Sequence, residues 1–170
     1  MMHHVLRCAA VVLALVLLAG ACSSSDADEN GLPDIELERL GDSGSYAIAG
    51  SGQRRVLNLW ATWCAPCRAE LPAFDAVAAD VDDVDEIEIV GVNVGDTGDD
   101  AAELVAELGL TFAQVLDPRA EIQRSLRISG LPATIFVDQG GEVLQVQNGE
   151  LTEDELRSLL RDLYGLELDG

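Results

Sequence analysis

Apolar and polar positions recur with two different periods along this chain, and the switches between them outline its elements. Residues 35–40 alternate apolar with charged side chains, the pattern of a half-exposed strand. Residues 41–44 form a glycine-flanked turn and 46–49 supply a partner strand, so an N-terminal β-hairpin is expected. After a polar connection over 50–55, the run Val56-Leu57-Asn58-Leu59-Trp60 is apolar but for Asn58 and reads as a buried strand. From Ala65 the period lengthens. Leu71, Phe74, Val77, Ala78 and Val81 fall at helical spacing, and Pro66 sits in the first turn, where a missing N–H costs nothing. Residues 87–94 read as a second core strand, and 99–108 as an amphipathic helix closed by Gly109. A short strand over 112–116 follows, with Asp117 and Pro118 expected to cap a short helix ending at Leu126. Residues 133–137 and 143–147 are strands joined by the hairpin signal Asp138-Gln139-Gly140-Gly141. Thr152, with Glu155 three positions on, makes a capping box ahead of Leu156, Leu159, Leu160 and Leu163.

This order implies an α/β sandwich. Strand–helix–strand repeats require parallel strands with helical crossovers, and the late hairpin adds antiparallel ones, so the central sheet should be mixed. There is no internal repeat and no sign of a second domain. The expected division is a signal over 1–22, a flexible tether over 23–31, one folded domain over 32–165 and a tail over 166–170.

The first 22 residues obey a different logic. Arg7 precedes an unbroken apolar run over 9–19, shorter than the roughly 20 residues of a spanning helix, and Leu18-Ala19-Gly20-Ala21-Cys22 ends it with small residues. This ending resembles a bacterial lipobox, which implies that Cys22 becomes the lipidated first residue of the mature chain. Leu18 stands one position further from the cysteine than in the usual pattern. Plain cleavage near Ala21 and an uncleaved anchor are the alternatives. Residues 23–30 are small, polar and acidic, as suits a tether between membrane and domain.

Charge and composition then remove whole classes of function. The chain has 31 acidic residues against 10 basic ones, all arginine, and losing residues 1–22 removes only Arg7, taking the net charge from −21 to −22. Such an excess argues against nucleic acid or anionic headgroups as partners of the folded surface. Both histidines, His3 and His4, lie in the signal. The mature chain therefore cannot build a Ser–His–Asp or Cys–His nucleophile, nor a Cys₂His₂ zinc site, and its three cysteines are too few for Cys₄. Arg68 after Cys67 excludes a c-type haem attachment motif. The acidic runs over 80–88 and 96–100 lack the spacing of a calcium loop and read as solvated loop acids. No metal is expected.

The chemistry is concentrated in Trp60-Ala61-Thr62-Trp63-Cys64-Ala65-Pro66-Cys67-Arg68-Ala69-Glu70-Leu71-Pro72. Two cysteines three apart at a helix start can bridge. Free N–H groups and partial positive charge at that end stabilise a thiolate. Cys64 should be the exposed attacking thiol and Cys67, one turn in, the buried resolving one. The plainer alternative is a static disulfide in an exported protein. The loop it would close is very small, which makes it a weak staple and a good redox couple.

Three segments together carry a resemblance: residues 57–67 around the two cysteines, Ile89-Val90-Gly91-Val92-Asn93-Val94, and Gly130-Leu131-Pro132-Ala133-Thr134-Ile135-Phe136-Val137-Asp138. Over roughly residues 32–165 the chain resembles the thioredoxin superfamily, and within it the membrane-anchored extracytoplasmic branch similar to TlpA and ResA. The resemblance implies a three-layer sandwich with the N-terminal hairpin as an extension. It implies that Pro132 is a cis-proline facing the cysteines and that the backbone of Leu131 pairs with an extended substrate. Where cytoplasmic thioredoxins carry a buried Asp, this chain has Asn58, which does not titrate. Glu70 stands instead at the position of the ResA-type glutamate, a carboxylate that could exchange a proton with Cys67 and raise the thiol pKa values. Trp63 is expected to shape the surface around Cys64, and Trp60 to pack in the core.

The resemblance implies an enzyme with no cofactor beyond the redox-active Cys64–Cys67 disulfide. It implies exported disulfide or dithiol clients such as apocytochrome c, a membrane electron donor, and no nucleic acid. A monomer is expected. A disulfide-forming oxidase and a thioredoxin-like binding module without turnover are the competing readings. A peroxidase lacks the separate cysteine of a Pro-x-x-x-Thr/Ser-x-x-Cys pattern.

Overall fold

The computed structural model describes residues 31–50, 52–81, 87–166 and 168. The signal over 1–22 with Cys22, the tether as far as residue 30, acidic residues 82–86 and most of the C-terminal tail lie outside the described residues. The elements are β1 (Glu36–Arg39), β2 (Ser45–Ala47), β3 (Arg54–Trp60), α1 (Ala65–Val81), β4 (Ile87–Val94), α2 (Gly98–Leu108), β5 (Ala113–Asp117), α3 (Glu121–Ser125), β6 (Ala133–Val137), β7 (Val143–Asn148) and α4 (Glu153–Tyr164).

Seven strands form one sheet in the order β2-β1-β5-β4-β3-β6-β7. β3, β4 and β5 run parallel, joined by α1 and α2 as crossovers. The β1–β2 hairpin extends the sheet antiparallel from β5, and β6 and β7 extend it antiparallel from β3. The sheet is therefore mixed, as the order of elements implies. β3 and β4 hold its centre because they are apolar on both faces, and nearly every residue in them is buried.

The core divides at the sheet. On one face Val56, Trp60, Ile89 and Phe136 pack under α1, α2 and α4, together with both cysteines. On the other, Leu57, Leu59, Val90, Val92 and Ile135 pack with the hairpin residue Leu37 and with Ile122 of α3. α4 starts at the expected capping box: Thr152 accepts from the Glu155 N–H and the Glu155 carboxylate accepts from the Thr152 N–H. At its other end the Tyr164 hydroxyl accepts the Val137 N–H at 2.8 Å and lies 2.9 Å from the Arg55 carbonyl, fastening α4 across β3 and β6.

Two local expectations are corrected. The polar stretch over 50–55 is not all connection. Arg54 and Arg55 already belong to β3, and Arg55 is wholly buried, its Nη1 donating to the Ala47 carbonyl at 3.0 Å. The short helix does not begin at Asp117 and Pro118 either. A turn closed by the Ala120 N–H on the Asp117 carbonyl comes first, with Ala120 in a left-handed conformation. The Asp117 carboxylate, at the head of that turn, nevertheless supplies the cap, accepting from the N–H groups of Glu121 and Ile122 at 2.8 and 3.0 Å.

Candidate active site

The site is built where β3 ends and α1 begins. A turn closed by the Cys64 N–H on the Ala61 carbonyl leads into the helix, and the Cys64 carbonyl accepts from Arg68 at 3.1 Å. Cys64 is thus the N-terminal cap of α1. Cys64 and Cys67 form a disulfide, with Cα atoms 5.3 Å apart. The Cys67 N–H, one of the donors left free by the start of a helix, points at the Cys64 sulfur at 3.3 Å. In the reduced protein that N–H and the partial positive charge of the helix end favour a thiolate on Cys64.

The exposure of Cys64 is smaller than expected. It is only 5% exposed, against 0% for Cys67. Cys64 is the more open of the two sulfurs, but it sits in the rim of the core with only a sliver exposed. The neighbouring indole takes the opposite position: Trp63 is 71% exposed, an apolar side chain standing beside the disulfide. Trp60 is in the core, and its indole N–H donates to Gln114 Oε1 at 2.9 Å. Arg68 lies on the rim, paired with Glu107 at 3.2 Å.

Glu70 is one turn beyond Cys67 on the inward side of α1, and it is more deeply placed than a helix-face acid, at 2% exposure. Its Oε1 accepts from Asn58 Nδ2 at 2.7 Å and its Oε2 from the Leu151 N–H at 2.8 Å. Burial disfavours the charged form and outweighs these two donors, while the nearby charge of Glu150 adds to it. The carboxyl is pushed up to about 7. The site therefore holds an acid able to take up or give a proton near neutrality.

The Leu131–Pro132 peptide bond is cis. Pro132 is buried, its carbonyl accepting from Gly149, and Leu131 is half-buried against the cluster that contains both cysteines.

One contributor was not expected from the sequence. Asp96, which lies in an acidic run with the look of a solvated loop, is half-buried. Its Oδ2 accepts from the Thr62 N–H at 2.7 Å and from Asn93 Nδ2 at 2.8 Å, which ties the loop after β4 to the turn that presents Cys64. The available signal was Asn93, a polar residue inside an apolar core strand. Among the described residues no group of three or more His, Cys, Asp or Glu side chains could hold a metal ion.

Both sulfurs among the described residues are already joined to each other at a helix start. What they offer is the reversible transfer of two electrons to or from another disulfide. The chain is a thiol–disulfide oxidoreductase on a thioredoxin-like scaffold. It belongs to the AhpC/TSA family, whose model matches residues 30–146. It is 37% identical over 125 residues to the thiol:disulfide interchange protein HelX of Rhodobacter capsulatus, covering 72% of this chain and 68% of that one. It is 31% identical over 135 residues to the thiol-disulfide oxidoreductase ResA of Oceanobacillus iheyensis, covering 77% and 70%. Among solved structures, a DsbF homologue from Corynebacterium diphtheriae superposes with a TM-score of 0.68 at 28% identity, covering 78% of this chain and 86% of that one.

Proposed function

We propose that this protein is a reductase of disulfides in exported proteins, working outside the cytoplasm from a lipid anchor on Cys22. The observation that carries the direction is the buried Glu70 carboxyl, on the same inward side of α1 as the buried Cys67. A strong oxidant is one whose reduced form is stabilised, which a favoured thiolate does. A buried carboxylate near the pair opposes a second negative charge there, so the dithiol is held less tightly and gives up its electrons more readily.

In the forward direction the Cys64 thiolate attacks a client sulfur, the client S–S bond breaks, and the departing client thiolate takes a proton. Glu70, ionised, receives the Cys67 proton. The resulting Cys67 thiolate attacks Cys64 Sγ, closing the disulfide and expelling the second client sulfur as a thiolate, which takes up a proton from solvent while Glu70 releases its own to solvent. Two electrons have then passed to the client, and a membrane partner restores the dithiol. Leu131, through its backbone, and the exposed Trp63 form the docking edge for an extended client beside Pro132. Apocytochrome c and other thiol proteins of the cell envelope are the client class.

The reduction potential tests the direction. A value near about −270 mV supports a reductase, and one near about −120 mV makes it an oxidase. Roles of the two sulfurs are tested by trapping. Cys67→Ser accumulates covalent client adducts released by reductant, and Cys64→Ser does not. Equal adducts from both variants would count against the assignment, and adducts from Cys64→Ser alone would reverse it.

A further inference from the structure

Below the Cys67 turn, polar groups meet on an otherwise apolar face of the sheet. Asn58 and Thr134 are directly paired across β3 and β6, so their side chains leave the sheet on the same side. Both are wholly buried. Glu70 descends from α1 onto Asn58, which donates through Nδ2, and the second carboxyl oxygen takes the Leu151 N–H. Two atoms of this group have no partner: Asn58 Oδ1 and Thr134 Oγ1.

Both donors suit an ionised carboxylate. A protonated Glu70 has a different need, because its O–H must find an acceptor, and a buried donor left unmatched is expensive. The Leu151 backbone N–H can never accept. The Asn58 amide can, since it carries a donor and an acceptor on one carbon. Half a turn about its Cβ–Cγ bond places Oδ1 where Nδ2 now stands, 2.7 Å from Glu70 Oε1. That torsion is soft and roughly two-fold, and the exchange leaves the packed volume unchanged. The orphaned Oδ1 gives up no existing bond in turning; the turned Nδ2 then needs an acceptor, which the Thr134 hydroxyl at the paired position, itself without a partner, supplies once its side chain rotates toward it.

We propose that Asn58 is a positioning residue that follows the proton on Glu70, donating to the ionised carboxylate and turning to accept from the protonated acid. The proposal rests on the proton role given to Glu70 above. It explains what an amide provides here that an aspartate would not: a partner for each protonation state without a second titrating charge. Glu150 in the β7–α4 loop is the charged group that bears on Glu70, and Cys67, one turn back on α1, is held in the disulfide here and titrates only in the reduced protein. At this place β3 and β6 bring only the uncharged Asn58 and Thr134.

The test follows the Asn58 side-chain amide and the Glu70 carboxyl carbon together by NMR, in the reduced full-length protein, across the neutral range. Above the Glu70 midpoint the amide proton facing Oε1 is shifted downfield and coupled through the hydrogen bond to the Glu70 carboxyl. Below it the coupling disappears, with the same midpoint. Coupling that persists on the protonated acid, or an amide midpoint unlike that of Glu70, overturns the proposal. Asn58→Leu removes the bond to the ionised carboxylate and the bond to the protonated acid together, so the proton affinity of Glu70 rises by less than about tenfold; a rise of roughly a hundredfold, the loss of a partner that serves the ionised form alone, also overturns the proposal. If that variant fails to fold, the titration of the unaltered protein decides alone. Glu70→Gln separates the proton role of Glu70 from the turning of Asn58. An unchanged pH profile for its reaction with glutathione disulfide removes the former, while the amide titration of the unaltered protein still decides the latter.

Discussion

The two faces of the sheet are built from the same three central strands, yet they differ in what they bury. The face under α1 and α4 holds Asn58, Glu70, Asn93, Gln114 and Thr134 among its apolar side chains, and the disulfide lies at its edge. On the opposite face, among the described residues, the middle of the sheet is aliphatic, with buried charge only at the strand ends, in Arg55 and Asp117. Buried polar groups cost stability unless each is matched, so their concentration on one side is a mark of use rather than of packing. The aliphatic face supplies a rigid base. The mixed face holds the buried Glu70 carboxyl and the hydrogen bonds that fix the turn before Cys64.

The sharpest way to break this division is to damage the aliphatic face. Leu59→Ala, at a fully buried position there, should cost about 3 to 4 kcal/mol by denaturant unfolding and leave the redox equilibrium with glutathione unmoved. A shifted equilibrium would show that the two faces are not separable.

Glu70→Gln tests the other face through pH. The folded chain keeps the Glu70 proton up to about pH 7, against 4.5 for the ordinary group. Between those values the folded state binds the extra proton, so stability falls as pH rises through that window, by roughly 3 kcal/mol in all. The Gln variant should lose this slope in urea titrations run at several pH values. Gly91→Ala has a smaller effect. Its new Cβ would land on the Gln114 amide, which is held by Trp60 and by the Phe112 carbonyl. Breaking that clasp should cost about 2 kcal/mol and show as altered Trp60 fluorescence. Arg68→Ala breaks only an exposed pair with Glu107 and should change stability by less than about 0.5 kcal/mol, measured the same way.

Elements with a local signature were legible in the chain. α1 and β4 have the expected ends because unbroken periodicity defines them, and the start of α4 is written in Thr152 and Glu155. The cysteine pair and Glu70 were visible from spacing and resemblance. What was not visible depends on partners far away in sequence. Asp96 reaches Thr62 across 34 positions, and Gln114 reaches Trp60 across 54. Neither carries a mark that separates it from an ordinary polar residue until the sheet brings the strands together. The shallow exposure of Cys64 is likewise a property of how the rim packs. Asn58 is the intermediate case: its interruption of an apolar strand announced a buried polar group, but not its partner.

The Asp96 carboxylate has a bearing on how this scaffold tolerates change. By grasping Thr62 with one oxygen and Asn93 with the same oxygen, it couples the length of one loop to the posture of another. An added or deleted residue between Val94 and Thr97 would pull on the turn that carries Cys64, although that stretch contains no sulfur. Variation in this molecule is thus freer at the outer hairpins than in a short link that looks, from outside, like any other surface bend.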